Sequence, residues 1–241
     1  MDSFSTPLHE AVKAKNFQDV KALILNGAEI NAKDGRDETP LFHAVEKNLV
    51  LIVEFMLQNG ADIEAKNNVS LRTPLYVASA MGHLGIVKML LKKGAKIDVI
   101  DFLGFTPICI ASGSGHNLTV EALLKYGADI QCQRSFFRNT PLHEAAETIY
   151  GNDKTLEMLV RKGAKIDAKN ANGNTPIHLA TTFAKNYPYV LMLMRFGASM
   201  TIRNQDGFTP IECALKKKNP LINKYDAKLR SFKLISYNEM E

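Results

Sequence analysis

The chain has 241 residues, 46% of them apolar and 23% charged, with a formal net charge of +5, the composition of an ordinary folded protein. Seven of its cations fall between Lys216 and Lys233, so the basic bias is that of one solvated end; nucleic acid is disfavoured as a partner. The most strongly apolar run, Leu49 to Leu57, is broken by Glu54 and is too short for membrane insertion. No basic and apolar leader follows Met1. Cys109, Cys132 and Cys213 are few, odd in number and far apart in sequence, giving no disulfide framework or metal spacing and fitting a reducing compartment. An intracellular, cytoplasmic setting is expected, native or in a host cell reached by another export signal, with the nucleus open.

One phrase recurs along the chain. Thr-Pro occurs at Thr6, Thr39, Thr73, Thr106, Thr140, Thr175 and Thr209, at intervals of 33, 34, 33, 34, 35 and 34 residues. Gly-Ala falls in phase at 27, 60, 94, 127, 163 and 197. A fixed period of this length predicts a stacked repeat. Thr serves as N-cap and Pro as the first helical residue of a short helix, Leu75 to about Met81 in the third repeat. After a tight turn at Gly82-His83, a second helix runs from Leu84 to Lys93 with Ile86, Val87, Leu90 and Leu91 on one face, and Gly94 ends it. The polar, turn-rich segment that follows predicts an extended, hairpin-like finger.

The phrases Thr6-Pro7-Leu8-His9, Thr140-Pro141-Leu142-His143 and Thr175-Pro176-Ile177-His178, with Gly82-His83, Ile86-Val87 and Gly94-Ala95, resemble the ankyrin repeat over residues 4 to 218. The resemblance implies an all-α repeat solenoid: an ankyrin-repeat stack of helix–turn–helix units with projecting β-hairpin-like fingers. It also implies protein binding through fingertips and a concave inner-helix face, without enzymatic activity. Residues 1–241 are read as a single domain, with repeats at about 4–28, 29–61, 62–95, 96–128, 129–164, 165–198 and 199–232 and a tail at 233–241.

In chain order, the first repeat is polar on its inner helix (Glu10, Lys13), as an end cap must be. The first finger, Lys33 to Glu38, is polar, with Asp37 where the pattern has Gly. Repeat two reads Leu41-Phe42-His43, its His displaced by one. The second and fourth fingers are one residue longer, and Asp101-Phe102-Leu103-Gly104-Phe105 makes the third. The fifth (Asn170 to Asn174) and sixth (Asn204 to Phe208) are polar apart from Phe208. Repeats five and six carry extra residues between their helices, near Ile149–Asn152 and Lys185–Pro188. The seventh continues into a capping helix over 220–232, and the tail shows no F-box-like or other degradation-adaptor motif.

No catalytic residue, cofactor site or metal site is assigned. His9, His143 and His178 hold the fourth place of the phrase, and His83 and His116 sit in the inter-helix turn; the repeat accounts for all of these through hydrogen bonds between neighbours. Gly113-Ser114-Gly115-His116 is such a turn. Asn31, in Leu23-x5-Glu29-Ile30-Asn31, is similar to the asparagine hydroxylation sites of ankyrin proteins, and a structural finger Asn is the plainer reading. The candidate partner-binding set is Val69, Leu71, Phe102, Leu103, Phe105, Phe136 and Phe137 on three adjacent fingers, flanked by Arg134 and Arg138. Val77, Met81 and Ile110 are expected beside it on the concave surface, where repeats one, two and seven place Glu10, His43, Lys216 and other polar residues. Exposed contiguous apolar residues with aromatic anchors mark interaction sites. Phe105 and Phe208, preceding Thr-Pro, are equally suited to packing on the next repeat. The expected function is capture of another protein by a monomer that scaffolds or occludes, in the manner of host-interaction proteins or inhibitors of the I-kappa-B type. The alternative is an array binding a nucleotide or oligonucleotide, as in the ankyrin domain of ribonuclease L, with Arg134 and Arg138 pairing and the phenylalanines stacking.

Overall fold

The structure, a computed structural model, describes residues 4–133, 136–147, 153–182 and 187–217. It is a stack of helix pairs: α1 (Pro7–Lys13) with α2 (Phe17–Leu25), α3 (Pro40–Glu46) with α4 (Val50–Gln58), α5 (Pro74–Ala80) with α6 (Leu84–Lys92), α7 (Pro107–Gly113) with α8 (Asn117–Lys125), α9 (Pro141–Glu147) with α10 (Asp153–Arg161), α11 (Pro176–Thr181) with α12 (Tyr187–Arg195), and then α13 (Pro210–Lys216). Every Thr-Pro opens an inner helix. The hydroxyls of Thr6, Thr73, Thr106, Thr140 and Thr209 each accept a hydrogen bond from the N–H three residues on, satisfying a donor that the helix leaves free.

The Gly-Ala beat ends the outer helices. Each glycine adopts positive φ, from +83° at Gly27 to +97° at Gly127, and the next N–H turns back to a carbonyl of the outer helix, as Ala95 does to Leu90 at 3.0 Å. This closure satisfies carbonyls that would otherwise be orphaned and aims the chain into the finger.

Inner helices pack on inner helices (α1 through α13, odd numbers) and outer on outer (α2 through α12, even numbers). Alanine at one register of the inner helices makes this possible: Ala44, Ala78, Ala111, Ala145, Ala180 and Ala214 are fully buried. A larger side chain there would overpack the seam at about 1–3 kcal/mol. Leu41, Leu75, Ile108, Leu142 and Ile177 fill the space between inner and outer layers with Val53, Val87, Val120, Leu156 and Val190.

The fingers carry no strand ladder among the described residues; fingers one, two, three, five and six are closed turns. In the third, Asp101 N donates to Phe105 O at 3.0 Å and Gly104 N to Asp101 O at 2.9 Å, while Asp101 Oδ1 accepts from Leu103 N and Phe105 N. Asp34, Asn170 and Asn204 hold the same place in fingers one, five and six. The hairpin-like expectation therefore reduces to a hydrogen-bonded tip whose side-chain carboxylate or amide replaces a ladder. Pro188, expected between helices, lies at the second position of α12, where its missing N–H is harmless. Residues 148–152 and 183–186, between the helices of repeats five and six, and the capping helix expected over 220–232 lie outside the described residues.

Candidate functional site

The fingers are fixed from beneath by the residue in the fourth place of the phrase. His9, His143 and His178 do this in one way. Nδ1 accepts from the backbone N–H of the N-cap threonine (3.2, 3.2 and 3.1 Å) and lies 2.8 Å from its hydroxyl. That leaves the proton on Nε2, which donates to Glu38 O, Asn174 O and Phe208 O of the next finger at 3.0, 2.9 and 3.1 Å. The rings are neutral; burial pushes the pKa of all three down, to about 4 at His143. His83 and His116 bond Glu46 O and Ala80 O of the preceding repeat. Inter-repeat hydrogen bonding thus accounts for each of these five histidines.

Other residues hold the fourth place in the centre. Tyr76 donates its hydroxyl to Asp101 Oδ2 at 2.9 Å in a buried contact, with the Arg72 guanidinium 5.2 Å over its ring. Cys109 meets Cys132, at the base of finger four, with 3.3 Å between the sulfurs. All three cysteines are free thiols, as their spacing in sequence implies, but the repeat carries residue 132 back over residue 109. Both signals were present in register, since Cys109 stands in the histidine place and Cys132 in one occupied elsewhere by Ala32, Ala65, Val99, Ala168 and Ile202.

Above these bases, Val69 is 78% exposed, Phe136 63% and Phe102 57%, with Phe137, Leu71 and Leu103 also exposed. Phe105 is half-buried, as is Phe208, which lies under the Lys216 ammonium at 4.6 Å. Finger three hydrogen-bonds to finger two (Phe102 N to Ser70 O, 3.0 Å), and finger five to finger four (Ala171 N to Phe137 O, 2.8 Å). Leu71 and Arg138 occupy the left-handed region, with φ of +54° and +52°, where fingers three, five and six have Gly104, Gly173 and Gly207. Asp37 does the same in finger one, at +58°.

The concave expectation needs two corrections. Val77 is only 8% exposed, covered by the adjoining inner helices, and cannot serve as a contact. His43, expected at the surface, is buried, with Nε2 2.7 Å from Asp34 Oδ2. Met81 is exposed and Ile110 half-buried. Arg134 lies outside the described residues. Arg138 is exposed, but its guanidinium donates twice to Gln133 Oε1, at 3.2 and 3.0 Å.

His9, Asp34 and His43 bring three potential metal-ligating atoms within 4.8 Å of one another. Their atoms are already engaged. His9 bridges to Glu38 O; Asp34 caps its turn through Oδ1 and accepts from His43 through Oδ2. Burial would raise the Asp34 carboxyl, but the hydrogen bonds from His43, Arg36 N and Glu38 N hold it below the usual carboxylate range. Asn31 bridges to the following repeat through Gly60 O and Asp62 N. Glu64, Gln131 and Asp167 make comparable bridges in its register, so its structural reading has a geometry. A shallow depression of about 610 Å³ lies on the opposite, outer-helix side, between Leu84, Lys88, Leu118 and Lys125.

Among the described residues, no helix is long and apolar enough to cross a membrane. The family model described as Ankyrin repeats (3 copies) matches residues 8–101, 98–170 and 142–225. The chain is 32% identical over 112 residues to Ankyrin repeat and SOCS box protein 11 of Danio rerio, a match covering 46% of this chain and 36% of that protein. The match thus spans little more than a third of that relative's length. The solved human ASB11 ankyrin repeat domain superposes with a TM-score of 0.76 at 27% identity, covering 87% of this chain and 92% of that one. The ankyrin repeat domain of Bcl-3, described as a unique member of the IkappaB protein family, gives 0.76 at 26%, covering 89% and 95%. Ankyrin repeats are protein–protein interaction modules, generally without enzymatic activity, and this chain belongs to the ankyrin-repeat family.

Proposed function

We propose that the chain captures a partner protein on the tips of fingers two, three and four and on Met81 at the adjoining end of α5, and acts by occlusion or scaffolding. The observation that carries this is the segregation of the tips. Val69, Leu71, Phe102, Leu103, Phe136 and Phe137 are exposed on consecutive fingers. Finger one offers a Lys33–Asp37 ion pair at 3.6 Å, and finger five Asn172. Aromatic anchors of this kind supply much of the binding energy at interfaces.

The test is the double variant Phe136→Ser/Phe137→Ser, compared with Asn172→Ser on the neighbouring finger. Proteins retained by the wild type are identified and their affinities measured for all three forms. The aromatic variant should lose roughly 30-fold or more in affinity, as expected for loss of about 2 kcal/mol at a hot spot, with helical circular dichroism unchanged. Full affinity in the double variant, or collapse of its helical signal, refutes the reading.

The oligonucleotide alternative has weaker support. A depression of about 480 Å³ is lined by Arg138, Lys169 and Arg203. Its cations are engaged: Arg138 with Gln133, Lys169 with Arg203 O at 3.4 Å, and Arg203 with Glu212 at 2.9 Å. Steeply salt-dependent oligonucleotide binding would restore that reading.

A further inference from the structure

Cys109 and Cys132 are 23 positions apart, one fully buried on α7 and the other half-buried where the chain enters finger four, and their sulfurs are 3.3 Å apart. Each replaces a different residue type found at its register in the other repeats: the fourth place of the phrase holds His, Phe, Tyr or Glu, and the fifth place after Gly holds Ala, Val or Ile. Two independent departures that meet in space are better explained as a pair than as two separate substitutions.

From this coincidence we infer that Cys109 and Cys132 form an oxidation site, a vicinal thiol pair that closes to a disulfide with hydrogen peroxide and staples the base of finger four to α7.

Cys132 is the attacking sulfur because it is the more accessible. The hydrogen bond it receives from Cys109 favours its thiolate, and the same bond with burial pushes the Cys109 thiol up. The Thr106 hydroxyl, 3.2 Å away, gives Cys132 a second polar neighbour. Attack of the Cys132 thiolate on peroxide forms an S–O bond and breaks the O–O bond; the departing hydroxide takes up the thiol's proton and leaves as water. Cys109 then attacks the sulfenic sulfur, forming S–S and breaking S–O, and the second water carries away its proton. Two thiols lose two electrons and two protons, and one peroxide becomes two waters. In a reducing compartment, thiol exchange restores the dithiol. Cys213 is an internal reference: its sulfur has Asn204 Nδ2 at 3.6 Å, and burial raises its pKa.

Gln133 adjoins Cys132 and joins two contacts, accepting from Arg138 and donating to Lys169 O at 3.2 Å. A disulfide at its neighbour therefore fixes the stem that carries Phe136 and Phe137. The oxidation chemistry stands without the binding proposal; only its effect on partner capture rests on that proposal.

The full chain is treated with hydrogen peroxide and analysed by intact mass, thiol titration and non-reducing peptide mapping. The expected result is loss of about 2 Da, a fall from three titratable thiols to one, and a single peptide joining residues 109 and 132, formed roughly ten-fold faster than any oxidation of Cys213. The oxidised chain should melt several degrees higher, and dithiothreitol should reverse every change. Cys132→Ala, the residue used at this register in three other repeats, should abolish the cross-link and the melting shift while leaving the fold intact. Both thiols remaining titratable after treatment, Cys132 advancing to sulfinic acid without pairing, or Cys213 reacting first would each overturn the inference. Partner affinity measured on the oxidised and reduced forms is a separate readout, so failure of binding leaves the chemistry judged on the peptide map alone.

Discussion

The six fingers divide into two groups, and the division at their tips repeats the division at their bases. Fingers one, five and six are held by His9, His143 and His178, each through a finger carbonyl, and their tips are polar. Beneath fingers two, three and four, the same place holds Phe42, Tyr76 and Cys109, and these tips carry the exposed apolar residues. A histidine bridge ties a finger through backbone alone and is indifferent to its side chains. The central bases instead use buried packing, a phenol–carboxylate bond and a thiol pair, each specific to one finger. What distinguishes the candidate site is thus built through the full height of the finger.

The largest expected difference between the groups is their response to acid. Burial holds the His143 pKa at about 4, below its unfolded value near 6.5. The folded state keeps the ring neutral while the unfolded chain protonates. Stability is therefore fully present above about pH 6.5 and is lost as pH falls toward about 4, by on the order of 3 kcal/mol over the window. His9 and His178 shift in the same direction. Hydrogen exchange, corrected for intrinsic rates, should show α1, α9 and α11 losing protection between about pH 7 and pH 4.5 before α5 and α7 do. His143→Phe, which copies repeat two, should flatten the dependence around α9. Uniform loss along the stack would break the comparison.

The second difference concerns how closely tips stack. A Cβ added to Gly173 would lie 2.8 Å from Gln205 N, and φ is +72°. Gly207, at φ +82°, has nothing within 4 Å of that position. Gly207→Ala should cost only the left-handed penalty of about 1 kcal/mol. Gly173→Ala should cost about 2–3 kcal/mol, because the bond from Gln205 N to Asn172 O must also move. Thermal melts of the two variants decide this; equal losses would mean that fingers five and six do not depend on close backbone contact.

The period of Thr-Pro and Gly-Ala made the stack legible in sequence, because each beat marks a local event: a cap, a first turn or a left-handed stop. The five repeat histidines were legible for the same reason. Val77 and His43 were misplaced because register gives the face of a residue but not how far its neighbours overhang it. The Tyr76–Asp101 bond and the thiol pair escaped because their partners lie 25 and 23 positions apart, a separation visible only once the finger is laid over the next inner helix. Exposure of the central tips was readable from register, since Phe102, Phe136 and Phe137 fall in the finger turn, where fingers one, five and six are mostly polar.

The smallest effect has two signs and is the most selective. Leu71 holds a left-handed φ of +54° that a branched side chain disfavours by about 1–2 kcal/mol, whereas Gly adopts it freely but loses more entropy on folding. Leu71→Gly should therefore raise stability by only about 0.5 kcal/mol, and denaturant titration can resolve its direction. Arg138→Gly relieves the same strain but forfeits the two bonds to Gln133, so its net change should be nearer zero. If the central tips are a binding surface, Leu71→Gly must also weaken partner capture while the fold grows more stable. A stabilised variant with undiminished capture would show that the left-handed leucine is tolerated rather than used.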